Sequence, residues 1–212
     1  VVNLALYVAR HVSRRNPVDM QLVEVSALMH DMQDHKYASP KDNTAAADDV
    51  VTKLLVLHLD MPPDRIDKVK RIINGVSYTN ETVHGFVPQD DVRRETYIVR
   101  DADRLDAMGA TGLGRAFAYG AGARKGTLVS VIDHAEDKLV KLYSLLKTEC
   151  GRKLGVARHK FTRAFITEFK KEQAVDRDDH DDHDGDQGAA PGAGTVAESS
   201  GGALELTSEV VL

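Results

Sequence analysis

The sequence contains few of the residues that cross-link a chain or anchor it in a membrane. Its 212 residues include one cysteine, Cys150, and no tryptophan. A single cysteine excludes a disulfide within the chain and favours a reducing compartment. No apolar run approaches the roughly 18 residues of a transmembrane helix, and no secretory signal is visible. We therefore expect no membrane partner and a cytoplasmic, or alternatively nuclear, location.

Aromatic residues are also scarce, and this bears on the kind of core. They make up 5% of the chain, whereas hydrophobic residues make up 42%. A core built from Leu, Val, Ala and Ile is typical of a helical protein rather than of an aromatic-rich sheet. The length is sufficient for one domain with a substantial core and is short for two.

Charge is distributed unevenly along the chain. The net charge is −5, yet residues 174–212 contain ten Asp and Glu against one Arg and so carry −9, which leaves about +4 on residues 1–173. We therefore predict a folded domain over 1–173 and a disordered tail, acidic and rich in Gly, Ala and Ser, over 174–212. The mild positive charge of the domain suits a small phosphorylated ligand, but it is too diffuse for nucleic acid.

Apolar residues recur at helical spacing along most of the chain. This pattern predicts an all-α fold, a compact bundle of about six to seven helices with essentially no sheet. A long polar loop is expected at 33–43 and an irregular segment at 79–88, and a Gly-rich stretch at 109–126 is expected to stay helical only over 111–119. The main predicted helices are the N-terminal segment from Val1 and then 18–29, 44–59, 63–77, 91–106, 129–147 and 153–171.

A His-Asp pair ends one predicted helix, and an acidic cluster lies about 70 residues further along. His30 and Asp31 directly follow the apolar helix 18–29, and Asp103 belongs to the cluster 101–106. An imidazole nitrogen with carboxylate oxygens suits a divalent metal of the Mn, Fe, Co, Ni or Zn type. Simpler interpretations remain, because a His at a helix end favours the helix dipole and Arg–Asp pairs on a helix surface would explain part of the cluster.

Taken together, the two segments resemble the HD superfamily of metal-dependent phosphohydrolases (HD/PDEase type), in its small single-domain branch. The resemblance rests on Leu28-Met29-His30-Asp31 and Ala102-Asp103-Arg104-Leu105-Asp106-Ala107, and it continues to about residue 171. It implies an HD-type helical fold and a divalent metal (Mn, Co, Ni, Fe, Zn or Mg). It also implies hydrolysis of a phosphomonoester or pyrophosphate bond in a nucleotide or another small phosphorylated metabolite.

The pattern of this family is His … His-Asp … Asp. The resemblance therefore implies that His30, Asp31 and Asp103 are metal ligands. Relatives carry the first His about one turn before the position of Val1, so we interpret the chain as truncated at its N-terminus. His11 lies about 15 Å further along the same helix at 1.5 Å per residue and is no substitute. The alternative function is therefore a catalytically impaired nucleotide- or metabolite-binding module that lacks one ligand.

The same resemblance implies roles for two residues beside the ligands. Asp34 comes one helical turn after His30 and matches an acidic general acid/base of relatives, which would orient the attacking water or protonate the leaving oxygen. An ordinary loop or capping carboxylate explains Asp34 equally well. Arg104 matches the place where relatives carry a cation near phosphate, and its simpler interpretation is an exposed charge.

Four further residues are candidate substrate contacts. Ser77 ends the predicted helix 63–77 and Tyr78 follows it, and the resemblance implies that residues near this position line the pocket. Lys36 could hold phosphate, although an exposed charge explains it more simply. His84 is a candidate substrate contact or, because some relatives use extra His ligands, a candidate ligand of a second metal; its simpler interpretation is a loop histidine. The expected partner is a small phosphorylated substrate, and the assembly to test for is a homodimer.

Overall fold

The computed structural model describes residues 1–32, 44–122 and 126–181, of which 44–49 and 175–181 by their backbone alone. Within these ranges the chain forms nine α-helices and no strand, so the all-α prediction is confirmed. None of these described helices is long and apolar enough to cross a bilayer. The helices are α1 (Val2–Ser13), α2 (Met20–Met29), α3 (Thr44–Leu59), α4 (Pro63–Val76), α5 (Tyr78–Thr82), α6 (Arg93–Asp106), α7 (Gly109–Gly122), α8 (Leu128–His134) and α9 (Glu149–Asp181).

The chain divides into two units, Val1–Glu172 and Gln173–Leu212. The first unit contains the packed helices and the whole of the described core. Of the second unit, the structure describes only the last residues of α9, which continues to Asp181, beyond the predicted helix end at 171. The predicted tail from residue 182 onward lies outside the described residues and stays a prediction.

Helix α6 lies at the centre of the first unit. It packs against α1, α2, α4, α7 and the segment before α9. Because it is surrounded, α6 buries polar as well as apolar side chains, and the buried charges must find partners inside the protein. Its fully buried apolar side chains are Ile98, Val99, Ala102 and Leu105.

Helix α2 presents the His-Asp pair at its C-terminal end. Asp19 caps the other end, where its Oδ1 accepts a hydrogen bond from the Leu22 amide at 3.0 Å. Arg65 on α4 contacts the same carboxylate at 2.8 Å, which ties α2 to α4. The helix is apolar on most sides and buried against α6, so its end at Met29 places His30 beside α6.

Three segments differ from the sequence-based expectations. The stretch 79–88, expected to be irregular, instead begins with α5, because Ser77 accepts a hydrogen bond from the Asn80 amide and caps a short helix. In the Gly-rich stretch 109–126, the helix was expected only over 111–119, but α7 extends over Gly109–Gly122. The predicted helix 129–147 is interrupted, since α8 is followed by a π-helical turn, Ala135–Leu139, and a 3-10 segment, Val140–Leu145.

Gly120 in α7 serves close packing rather than a loop. A Cβ at Gly120 would lie 2.5 Å from Cγ2 of Val131, a contact that side chains do not make. Gly120 thus lets α7 approach α8 closely, and this advantage outweighs the roughly 1 kcal/mol by which glycine is disfavoured in a helix.

Replacing Asp19 with alanine is expected to destabilise the protein by about 1–2 kcal/mol near neutral pH, because α2 loses its cap. Burial alone would raise the pKa of Asp19, but Arg65 and the Leu22 amide hold it below its ordinary value. The stabilisation is therefore complete above the ordinary aspartate pKa and is lost as pH falls through the lower folded pKa.

Urea unfolding of wild type and Asp19→Ala at about pH 7 and about pH 3 measures this difference, which should shrink in acid. Asp19→Asn is the control, since it keeps the capping oxygen and loses only the charge. A difference that grows in acid would contradict this account of the cap.

Candidate active site

The end of α2 and the last turn of α6 bring His30, Asp31 and Asp103 together. The Nε2 atom of His30 lies 3.2 Å from Oδ2 of Asp31 and 3.6 Å from Oδ1 of Asp103. Because α2 packs directly on α6, the fold brings together residues that lie about 70 positions apart in the sequence. The three ligands predicted from the sequence are thus neighbours in the fold.

The ring of His30 has a fixed orientation. Its Nδ1 lies 2.9 Å from the carbonyl oxygen of Ala27, and since a carbonyl only accepts, Nδ1 is the donor and Nε2 of the neutral ring carries the lone pair. Nε2 is buried, and the groups that it faces are the carboxylates of Asp31 and Asp103. A backbone carbonyl behind an imidazole whose other nitrogen faces carboxylates is the usual setting of a metal-binding histidine.

The electrostatics around His30 favour a cation. Burial lowers the pKa of His30, but the carboxylates of Asp103 and Asp31 outweigh it and hold the pKa above its ordinary value. The same two carboxylates stabilise any positive charge at Nε2, whether it is a proton or a metal ion.

The donor set fits a divalent metal, but it supplies only part of a coordination sphere. Across residues 1–32, 44–122 and 126–181, no group of three or more His, Cys, Asp and Glu side chains is arranged to hold a metal ion by itself. Asp31 is 61% exposed, and Asp103 turns its second oxygen, Oδ2, toward Nη1 of Arg104 at 3.3 Å. The three side chains therefore converge without closing around one point.

These residues line a large open cavity of about 1590 Å³. Asp34 and Lys36 lie outside the described residues, so their roles stay predictions. All the other candidate residues named from the sequence border this one cavity: His30, Asp31, Ser77, Tyr78, His84, Asp103 and Arg104.

The cavity also has basic residues to which the sequence analysis assigned no role in the site. Lys70, Arg115, His134 and Lys138 line it. Lys138 lies in the π-helical turn after α8, with its Nζ 4.7 Å from the centroid of the Tyr78 ring. The sequence did not indicate that Lys138 faces the cavity, because helical periodicity does not reveal a π turn. Such a turn changes the direction of the side chains beyond it.

Arg104 is buried, so the interpretation as an exposed charge is wrong. Its side chain is 1% exposed. Nη1 donates to the carbonyl oxygen of Val76 at 3.1 Å, and Nη2 donates to Oε2 of Glu81 at 2.9 Å. Arg104 therefore joins the ends of α4, α5 and α6 at the wall of the cavity.

Glu81 on α5 is a further residue that the sequence did not indicate. Its side chain is 8% exposed and forms ion pairs with Arg104, with Lys147 at 2.7 Å and with Arg100 at 3.3 Å. Burial would raise the pKa of Glu81, but these three cations hold it below its ordinary value. Arg100 is equally buried and also donates to Gly75 O, so it does not form the surface pair considered from the sequence.

Asp101 has a structural role that its place in the acidic cluster concealed. It is fully buried and accepts hydrogen bonds from the amides of Lys147 and Thr148 at 2.8 and 2.7 Å and from the Thr148 hydroxyl at 2.6 Å. A Cβ at Gly151 would overlap this carboxylate, so glycine is required there. Burial raises the pKa of Asp101, although the three donors oppose the shift.

Comparison with known proteins supports the family resemblance. No family model matches the chain. The protein YpgQ from Bacillus subtilis (strain 168) is 30% identical over 168 residues, which are 77% of this chain and 78% of YpgQ. A solved structure of YpgQ in complex with ADP aligns with a TM-score of 0.61 at 29% identity, over 81% of this chain and 86% of that one.

A second solved structure carries the family name. An HD-superfamily hydrolase from Bacillus thuringiensis aligns with a TM-score of 0.56 at 26% identity, over 82% of this chain and 84% of that one. This chain belongs to the HD superfamily. The membership predicted from His30-Asp31 and Asp103 is thereby confirmed, and with it the broad class of hydrolases.

Within this HD-superfamily protein, Asp101→Asn is expected to lower the free energy of unfolding by about 1–3 kcal/mol. The amide would direct an NH₂ group toward three hydrogen-bond donors that now share two carboxylate oxygens. Thermal unfolding followed by circular dichroism measures the loss as a lower Tm.

Asp133→Asn is the matched control, because Asp133 is exposed on α8 and its variant should keep the wild-type Tm. A wild-type Tm for Asp101→Asn would contradict the assignment of Asp101 as the anchor of the segment that begins α9.

Proposed function

We propose that the protein is a metal-dependent phosphohydrolase that acts on a nucleotide or another small phosphorylated metabolite. One observation carries the proposal. The buried Nε2 of His30 faces the carboxylates of Asp31 and Asp103 and lies at the wall of a large cavity with cationic residues.

His30, Asp31 and Asp103 would hold the metal in this proposal. One imidazole nitrogen and two carboxylates suit Mn, Fe, Co, Ni, Zn or Mg, and the donor types do not distinguish among these ions. When bound, such an ion lowers the pKa of a coordinated water and polarises a phosphoryl oxygen. The imidazole ring of His30 is kept in its orientation by the hydrogen bond that its Nδ1 donates to the carbonyl oxygen of Ala27.

The remaining residues bind the substrate and handle its charge and protons. Arg104 contributes positive charge at the cavity wall beside Asp103. Ser77 and His84 border the same space and are proposed to contact the substrate. Asp34 is proposed as the group that moves a proton to or from the reacting oxygen, and Lys36 as a phosphate contact; both assignments rest on the family resemblance.

A nucleotide is the substrate class that we favour. YpgQ, the 30% identical relative, has been solved in complex with ADP. In the present chain, the cavity combines an aromatic face at Tyr78 with cations such as Lys138 and Lys70. A nucleotide presents the matching pair of groups, a planar base and a phosphate chain.

The second candidate function is the binding module with impaired catalysis. The observation that favours it is the open arrangement of the three donors among the described residues. Such a module would bind a nucleotide without hydrolysing it, so binding and turnover measured on the same preparation separate the two functions.

Wild-type protein is expected to bind Mn²⁺ and to release phosphate or pyrophosphate from at least one nucleoside mono-, di- or triphosphate. Asp103→Ala is expected to lower kcat/KM by about 100-fold or more, because one of three protein donors is lost. Isothermal titration gives metal affinity, and a nucleotide panel with inorganic pyrophosphatase gives turnover.

Asp133→Ala, on the exposed face of α8, should retain full turnover. Equal activity of Asp103→Ala and wild type would refute the site assignment. Nucleotide binding without turnover under Mn²⁺, Co²⁺, Ni²⁺ and Mg²⁺ would favour the binding module instead.

Lys138→Met is expected to raise KM for a nucleotide substrate by about tenfold with little change in kcat. In this proposal Lys138 contributes charge to substrate binding at the cavity wall and takes no part in the chemical step, so its loss weakens ground and transition states alike. Steady-state kinetics test this, with the exposed Lys141→Met as control. A fall in kcat at constant KM would contradict a binding role.

A further inference from the structure

Glu81 lies on α5, outside the sequence motif of the family. We propose that Glu81 is a positioning residue of the metal site: its carboxylate engages Arg104 and thereby leaves Asp103 available to the metal. The inference rests on the proposed function, since it concerns the ligand set of that site.

Arg104 lies between two carboxylates. Its Nη2 is 2.9 Å from Oε2 of Glu81, and its Nη1 is 3.3 Å from Oδ2 of Asp103. The other oxygen of Asp103, Oδ1, faces Nε2 of His30 at 3.6 Å. Asp103 is thus placed between a guanidinium that attracts it and the imidazole with which it would hold a metal ion, and the shorter contact of Arg104 is to Glu81.

Burial makes this competition energetically significant. Arg104 is 1% exposed, and a buried guanidinium is strongly destabilising unless a carboxylate pairs with it. In the described structure, Arg104 forms ion pairs with the carboxylates of Glu81 and Asp103. Without Glu81, only Asp103 would remain. Arginine prefers a two-pronged pair with a carboxylate, so Asp103 would turn toward Arg104 and away from His30.

Glu81 is held in place by groups other than Arg104. Lys147 contacts Oε1 at 2.7 Å, and Arg100 contacts the same atom at 3.3 Å. Lys147 is itself fixed, because its amide donates to the buried Asp101. Since these contacts are independent of Arg104, Glu81 orients the guanidinium rather than adapting to it.

A purely structural role would give a different result from a positioning role. Glu95 offers the matched comparison, because it is also a buried glutamate, it lies on α6 and it accepts a hydrogen bond from the Asp19 amide at 3.0 Å. It lies near the opposite end of α6 from Asp103, about 12 Å away along the axis at 1.5 Å per residue. Loss of either charge should lower stability, but only the loss at Glu81 should affect Asp103.

The test is Mn²⁺ affinity, measured by isothermal titration at a temperature where circular dichroism shows each protein folded. Glu81→Gln is expected to bind Mn²⁺ about tenfold more weakly than wild type. A loss of this size is typical when a residue that orients a metal ligand is removed. Glu95→Ala, which loses the acceptor for the Asp19 amide, is expected to keep the wild-type affinity while its Tm falls. Glu81→Asp, which retains the charge, should recover most of the affinity.

A double-variant cycle shows whether Glu81 acts through Arg104. With Arg104→Gln in the background, adding Glu81→Gln should change Mn²⁺ affinity by less than about twofold, because no guanidinium remains to take Asp103. Lys147→Met provides a milder variant should Glu81→Gln not fold, since Lys147 is 34% exposed; its affinity should fall by about two- to threefold.

The outcomes separate the two levels of inference. Unchanged affinity in Glu81→Gln and Lys147→Met would overturn the positioning role while leaving the metal site intact. An equal loss with and without Arg104 would overturn it too. Absence of Mn²⁺ binding by wild type would overturn both the proposed function and this inference.

Discussion

Burial of charge along α6 is the constraint on which the rest of the structure depends. Arg100, Asp101 and Arg104 are each at most 1% exposed, and a buried charge is tolerated only when other groups neutralise or solvate it. Their partners come from the end of α4, from Glu81 on α5 and from the amides that precede α9. One helix therefore determines where three others must end or begin.

The sequence predicted the local features well. Helical periodicity identified the all-α class and most helices, and the adjacency of His30 and Asp31 with the later Asp103 identified the family, because these signals are carried by neighbouring residues. The pairing of Glu81 with Arg100 and Arg104 was not predictable in this way, since ion pairs between distant residues leave no periodic trace in a single sequence.

Composition misled the interpretation where residues have more than one physical use. Glycines over 109–126 suggested a chain that is helical only over 111–119, yet α7 extends over Gly109–Gly122. Asp101 was grouped with the other acidic residues of its cluster, but it binds backbone amides and supports the segment before α9. In both cases the role of the residue depends on the groups that surround it in the fold and not on its residue type.

The π-helical turn Ala135–Leu139 has an evolutionary consequence. A π turn is equivalent to an α-helix with one inserted residue, and each added residue rotates the remainder of the helix by about 100°. A single insertion or deletion here would redirect the side chains that this segment offers to the cavity, Lys138 among them, without altering His30, Asp31 or Asp103. Between homologues, a change in chain length at this one turn would therefore alter the lining of the cavity without moving the residues at the ends of α2 and α6.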